Sequence, residues 1–153
     1  MRKPITPPKP AQRGFSLIEL MVTVGIVAIL GTIAVSTYSS QVRSSRRTDA
    51  RSALLDLAGR EEKLFSTTNA YTALGTSLGY GAAFPQNVGS GYYSVNVLSP
   101  DPAQAAATVP TYAITATAIG PQAKDTQCLT LSVNQTGAQS STGTATAATC
   151  WNN

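Results

Sequence analysis

Arg13-Gly14-Phe15-Ser16-Leu17-Ile18-Glu19-Leu20 opens the stretch that decides the fold. From residue 15 to residue 35 every side chain is apolar or small except one carboxylate, Glu19. These 21 residues would span about 31 Å as a helix at roughly 1.5 Å per residue. That length matches the hydrocarbon core of a bilayer, roughly 30 Å thick. A charge inside such a span costs on the order of 2.5–3.5 kcal/mol even on lenient insertion scales, so it normally has a partner and a task. The partner this sequence offers is the amine that a cut after Gly14 would create.

The residues on either side favour that cut. Residues 1–14 form a proline-rich leader that holds Arg2, Lys3, Lys9 and Arg13 and no acid. Basic residues ahead of an apolar span keep that end in the cytoplasm. An ordinary secretory signal is cleaved after its apolar run, at small residues. Here Thr37-Tyr38-Ser39-Ser40 leads instead into a charged segment. The abrupt junction is Gly14/Phe15, and cutting there leaves the apolar run on the mature chain.

The leader also explains the charge. The chain of 153 residues carries a formal +4, but outside the leader seven basic side chains balance seven acidic ones. The sequence pI of about 9.3 therefore describes the leader and is poor evidence for nucleic-acid binding. There is no histidine, the commonest general base and metal ligand near neutral pH. No catalytic constellation can be assembled, no glycine-rich nucleotide loop is present, and no metal or cofactor site is read. The two cysteines, Cys128 and Cys150, are expected to form one disulfide in an oxidising compartment; the alternative is two free buried thiols.

Past the apolar run, Ala50, Ala53, Leu54, Leu57, Glu61, Leu64 and Phe65 recur at three- and four-residue steps, the pattern of an amphipathic helix. Arg43, Arg46, Arg47, Arg51, Arg60 and Lys63 fall mostly between them. One helix is predicted over 15–66, apolar all round in its first half and one-sided in its second. Gly25, Gly31, Thr32, Ser36 and Thr37 weaken the first half, either to let helices approach closely or to let the helix unwind locally. Residues 67–91 read as a long irregular connection. Strands are predicted around residues 92–98, 111–118 and 128–133, with turn residues between them. The fold class is α+β: a long N-terminal helix packed on an antiparallel sheet of three to four strands, with a C-terminal loop closed by Cys128–Cys150. The organisation is a leader over 1–14, a helix over 15–66 whose 15–35 part spans the membrane, and a globular domain over 67–153.

Arg13-Gly14 followed by Phe15-Ser16-Leu17-Ile18-Glu19 resembles the class III signal and N-terminal helix of type IV pilins and pseudopilins. The run from Cys128-Leu129-Thr130-Leu131 through Asn134-Gln135-Thr136-Gly137 to Cys150-Trp151 is similar to the end of PilE-like minor pilins of the type IVa class. The resemblance implies that prepilin peptidase cuts after Gly14 and that Phe15 becomes an N-methylated terminus. It implies that Glu19 pairs with a Phe15 amine during assembly and so selects the axial register. It also implies a single-pass subunit held in the bacterial inner membrane. An assembly platform then moves it into an extracellular pilus, where its helix meets other pilin subunits. The sequence departs from many type IVa pilins at Ser36, where those carry a proline, so a fixed kink is not expected there.

The function that follows is that of a structural pilus subunit, a minor pilin serving motility, adhesion or DNA uptake. It is not an enzyme. A pseudopilin of a type II secretion system is the alternative the N-terminus leaves open. A pilus-borne DNA receptor is the alternative from another class, and charge speaks against direct nucleic-acid binding. From Ser66 onwards Lys124 is the only basic residue, and phosphate binding rests on Lys and Arg. The arginines at 43–51 are expected to form a solvated or inter-subunit face, with Asp49, Asp56, Glu61 and Glu62 as partners. Asn134-Gln135-Thr136 matches a glycan acceptor motif and nothing more.

Overall fold

The computed structural model describes residues 14–152; residues 1–13 of the leader and residue 153 lie outside them. The chain divides into two compact units, Met1–Ser39 and Ser40–Asn153. A single helix, α1, runs over Leu17–Thr68. Its start is capped by Ser16, whose hydroxyl accepts the Glu19 N–H at 3.3 Å, a serine-to-glutamate spacing typical of helix starts. At its end the Thr67 and Thr68 hydroxyls both donate to the Leu64 carbonyl at 2.9 Å. Asn69 then turns left-handed, with φ at 54°, and its N–H reaches the Phe65 carbonyl at 2.8 Å. That is the usual way to close a helix where glycine is absent.

In the first unit the apolar side chains of α1 are exposed throughout, as with Leu17, Ile18, Met21, Ile26 and Leu30. In the second unit α1 is one-sided. Ala50, Leu54, Leu57 and Glu61 are fully buried, at steps of four, three and four residues.

The sheet against this stripe is an antiparallel meander in the order β1-β2-β3-β4-β5. Its strands are β1 Gln86–Val88, β2 Tyr93–Leu98, β3 Ala113–Ala118, β4 Thr130–Asn134 and β5 Gln139–Thr142. Alternation places Tyr93, Val95 and Val97 inward on β2, Ile114, Ala116 and Ala118 on β3, and Leu131 and Val133 on β4. Register stacks Val95, Ala116 and Leu131 in one row and Val97, Ile114 and Val133 in the next. Each fully buried large aliphatic chain in those rows contributes about 1.5–3 kcal/mol.

Five strands replace the three to four expected. β1 is three residues long and lies inside the glycine-rich connection, where Pro85 precedes it. β5 reads Gln-Ser-Ser-Thr and has no apolar alternation of its own. Both exist because a stronger neighbour supplies the ladder: β2 for β1 and β4 for β5. The connection also holds a short 3₁₀ turn, Gly75–Leu78. It needs glycine at position 75 because a Cβ there would meet the Ala82 carbonyl.

A short helix, α2, covers Ala147–Asn152. The Cys128–Cys150 disulfide forms as expected, and both cysteines are fully buried. Trp151 anchors the tail twice: its indole N–H donates to the Ser140 carbonyl at 2.9 Å, and its own carbonyl accepts from Arg51 at 2.6 Å.

Candidate functional site

Three places carry chemistry. The first is the exposed apolar run. Gly14 is exposed, Phe15 is 76 % exposed, and Glu19 is an exposed acid among the exposed apolar residues of α1. Among the described residues the Glu19 carboxylate forms no ion pair. The hydroxyls of Thr23 and Thr32 turn back onto the carbonyls of Leu20 and Ile29, at 2.9 and 2.8 Å, which hides their polarity. Among the described residues α1 is the one helix long and apolar enough to cross a membrane.

The second place is the arginine-rich start of the second unit. Arg47 is buried and grips Asp125 with both forks, Nε to Oδ2 and Nη2 to Oδ1, each at 2.7 Å. The hydrogen bond to Asp125 outweighs burial and holds the guanidinium firmly charged. Gln122 ties the pair down, with its side-chain amide donating to the Tyr93 hydroxyl, the Asp125 carboxylate and the Arg43 carbonyl, each at 3.2 Å. Arg46 lies 3.6 Å above the centre of the Tyr92 ring, a cation–π contact. Beside them opens a polar cleft of about 190 Å³, lined by Ser40, Arg43, Arg47, Lys124, Asp125 and Gln127 among others.

Two expectations change here. Of the acids expected beside the arginines, Asp56 does serve, but for Arg60, at 2.8 Å. The buried arginine instead takes Asp125, 78 residues away. Glu61 is no ion-pair partner either: it sits fully buried on the apolar stripe.

Glu61 is the third place. One carboxylate oxygen accepts the Thr72 N–H at 3.2 Å, and the other has no partner among the described residues. Burial pushes its pKa up to about 7; the Thr72 bond opposes this and the charge of Glu62 adds to it. Around it Phe65 stacks on Tyr71, and Tyr71 meets Tyr112 edge-on. The signal for Glu61 was an acid in phase with the apolar stripe. Nothing local announces Asp125, because its partner is brought by tertiary packing.

An exposed apolar helix with one acid near its start, joined to a domain whose one-sided sheet is closed by a late disulfide, defines a pilin-type subunit. Residues 36–132 match the family described as type IV minor pilin ComP, DNA uptake sequence receptor. Residues 9–35 match the prokaryotic N-terminal methylation motif. The chain belongs to this family of type IV minor pilins, which separates it from the pseudopilin alternative. Among curated relatives it is 32% identical over 71 residues to the type IV major pilin protein PilA of Myxococcus xanthus, covering 46% of this chain and 32% of that one. It is 53% identical over 38 residues to prepilin peptidase-dependent protein D of Escherichia coli, covering 25% of this chain and 26% of that one. The chain thus spans about a third of one relative and a quarter of the other.

Proposed function

We propose that this minor pilin is processed at Gly14/Phe15, methylated on the Phe15 amine and held in the inner membrane by residues 15–35. The assembly platform then moves it into the pilus. It acts there as a structural subunit with no catalytic role. In the fibre Glu19 pairs with a Phe15 amine, and the globular domain faces outward. The observation that carries this reading is the placement of one carboxylate, Glu19, as the fifth residue of the otherwise apolar or small, exposed run over 15–35. Pairing opposite charges in a low-dielectric bundle rewards one axial register and penalises the others. Mass spectrometry of sheared surface fibres tests it. The expected products are a chain beginning at Phe15, a methyl group on its amine and an intact disulfide. A fibre-borne chain that retains residues 1–14 would overturn it.

Family membership favours a second reading, in which the pilus serves DNA uptake and this domain touches DNA. It runs against the charge argument above. Of the basic side chains in the second unit, Arg47 is spent on Asp125 and Arg60 on Asp56. Contact would therefore rest chiefly on Lys63 and Lys124. Fluorescence anisotropy with the processed subunit and labelled duplex, read at several salt concentrations, tests this. Saturable binding that weakens with salt supports a receptor. Absence of binding at physiological salt leaves the subunit a structural one.

A further inference from the structure

We propose that Glu61 is a proton-operated latch: protonated, it holds the connection over residues 69–85 against α1, and ionised, it lets that segment lift while the sheet stays formed. Every group involved lies within the second unit, and the latch needs neither the membrane nor the fibre.

The connection is arranged to move as a piece. Its backbone bonds close on themselves, from the N–H of Ser77 to the Leu74 carbonyl at 3.1 Å, of Gly79 to Thr76 at 3.2 Å and of Tyr80 to Gly75 at 2.8 Å. Side chains tie it to α1. Glu61 accepts the Thr72 N–H at 3.2 Å, Glu62 accepts the Tyr71 hydroxyl at 3.1 Å, and Arg60 donates to the Leu78 carbonyl at 3.0 Å. Phe65 stacks on Tyr71 with ring centres 4.6 Å apart. Of the side chains on α1 that make the polar ties, Glu61 is fully buried while Arg60 and Glu62 are exposed.

An ionised Glu61 has nothing to balance it there. One of its oxygens has no partner among the described residues. Glu62 faces it from α1 with a like charge. Tyr71 faces it from the connection and Tyr112 from the segment ahead of β3. Burial, the largest influence on both phenols, raises them, Tyr71 to about 12, so both are neutral. The cations next to Glu61 along α1, Arg60 and Lys63, line a groove beside Leu78 of which Glu61 is not part, and Arg60 is engaged by Asp56 at 2.8 Å. A buried charge without a partner is relieved by taking up a proton or by reaching water. Lifting the connection reaches water at the lower cost, because β2, β3 and β4 are held by continuous ladders and by the disulfide next to β4.

Linkage fixes the direction. Covered, Glu61 titrates at about 7; lifted into water, it returns to the ordinary 4.5. Lifting is therefore opposed in full below pH 4.5. From there the ratio of lifted to closed chains rises about tenfold per pH unit and levels off above about 7.

Hydrogen exchange read by mass spectrometry tests this on the full chain in neutral detergent, from about pH 5 to about pH 8. After correction for intrinsic amide chemistry, exchange over residues 69–85 is expected to rise about a hundredfold between pH 5 and pH 7 and then to level off. It is expected to run ahead of exchange over residues 93–134 at every pH. Glu61→Gln, and Glu61→Leu, which completes the apolar stripe, are expected to abolish the rise. A flat wild-type profile overturns the latch without recourse to either variant. A rise that persists in whichever variant folds overturns it too. So does exchange of the connection and the sheet at one common rate, which would mark unfolding of the whole domain.

Discussion

Glu61 is an acid at a position where the stripe of α1 calls for a hydrophobe. Its side chain has no exposed surface, one hydrogen bond from Thr72, and the like charge of Glu62 nearby. Tyr71, whose hydroxyl donates to Glu62 at 3.1 Å, is pushed up to about 12, first by burial, so it stays neutral and adds no further negative charge. Because the folded pKa of Glu61 lies above that of an ordinary carboxyl, the folded state binds the proton more tightly than the unfolded chain. Stability is then fullest below pH 4.5 and is lost as pH rises through about 7. At most this amounts to about 3 kcal/mol. Glu61→Gln keeps an acceptor for the Thr72 N–H and removes the ionisation. The variant is expected to unfold at a higher temperature than wild type at pH 8 and at a similar one at pH 5. Thermal melts across that range check it, and parallel pH profiles would show that Glu61 does not titrate in the fold.

At the scale of elements, β5 and α2 depend on a staple rather than on their own sequence. Residues 139–149 are almost entirely Ser, Thr, Ala and Gly and bury little. The Cys128–Cys150 bridge, with a sequence separation of 22, removes loop freedom from the unfolded chain worth about 3 kcal/mol on the chain-entropy account. Replacing both cysteines with serine is expected to destabilise the domain by about 2–5 kcal/mol. Amide exchange should rise first in β5 and α2 and only later in β2 and β3, and uniform loss of protection would contradict this division. The same contrast explains what the sequence reading could reach. The α1 helix was legible to within two residues at each end, because residues 15–35 are unbroken and Leu54, Leu57 and Glu61 keep a helical period. β2, β3 and β4 were legible through alternation. β1 and β5 were not, since their hydrogen bonds are dictated by neighbours and no side-chain pattern marks them. Arg47–Asp125 was equally silent, being made only when α1 docks on the turn after β3.

At the scale of the whole molecule, one helix serves two units with opposite demands. Over Ser40–Asn153 its buried stripe is satisfied within the chain by the sheet. Over residues 17–35 its apolar side chains are exposed among the described residues, with Leu17, Val27 and Val35 at 78 %, 67 % and 72 % exposure. That surface must be covered by lipid or by other helices, and both are apolar, so exchanging one for the other costs little. Apolar burial therefore does not discriminate between registers, and in the function proposed above Glu19 is the residue that does. Replacing Glu19 with alanine removes a cost of membrane insertion, so the variant is expected to insert as wild type does. Inside a fibre it would leave a Phe15 ammonium without its counter-charge, and breaking a buried pair from one side costs about 3–5 kcal/mol. Partial wetting of the bundle lowers that figure, but each 1.4 kcal/mol is tenfold. Incorporation relative to a co-expressed wild-type subunit should therefore fall by at least about tenfold. Quantitative peptide mass spectrometry of sheared fibres, set against the same ratio in membranes, reads the effect directly. Equal ratios in the two fractions would show that register is chosen elsewhere along the helix.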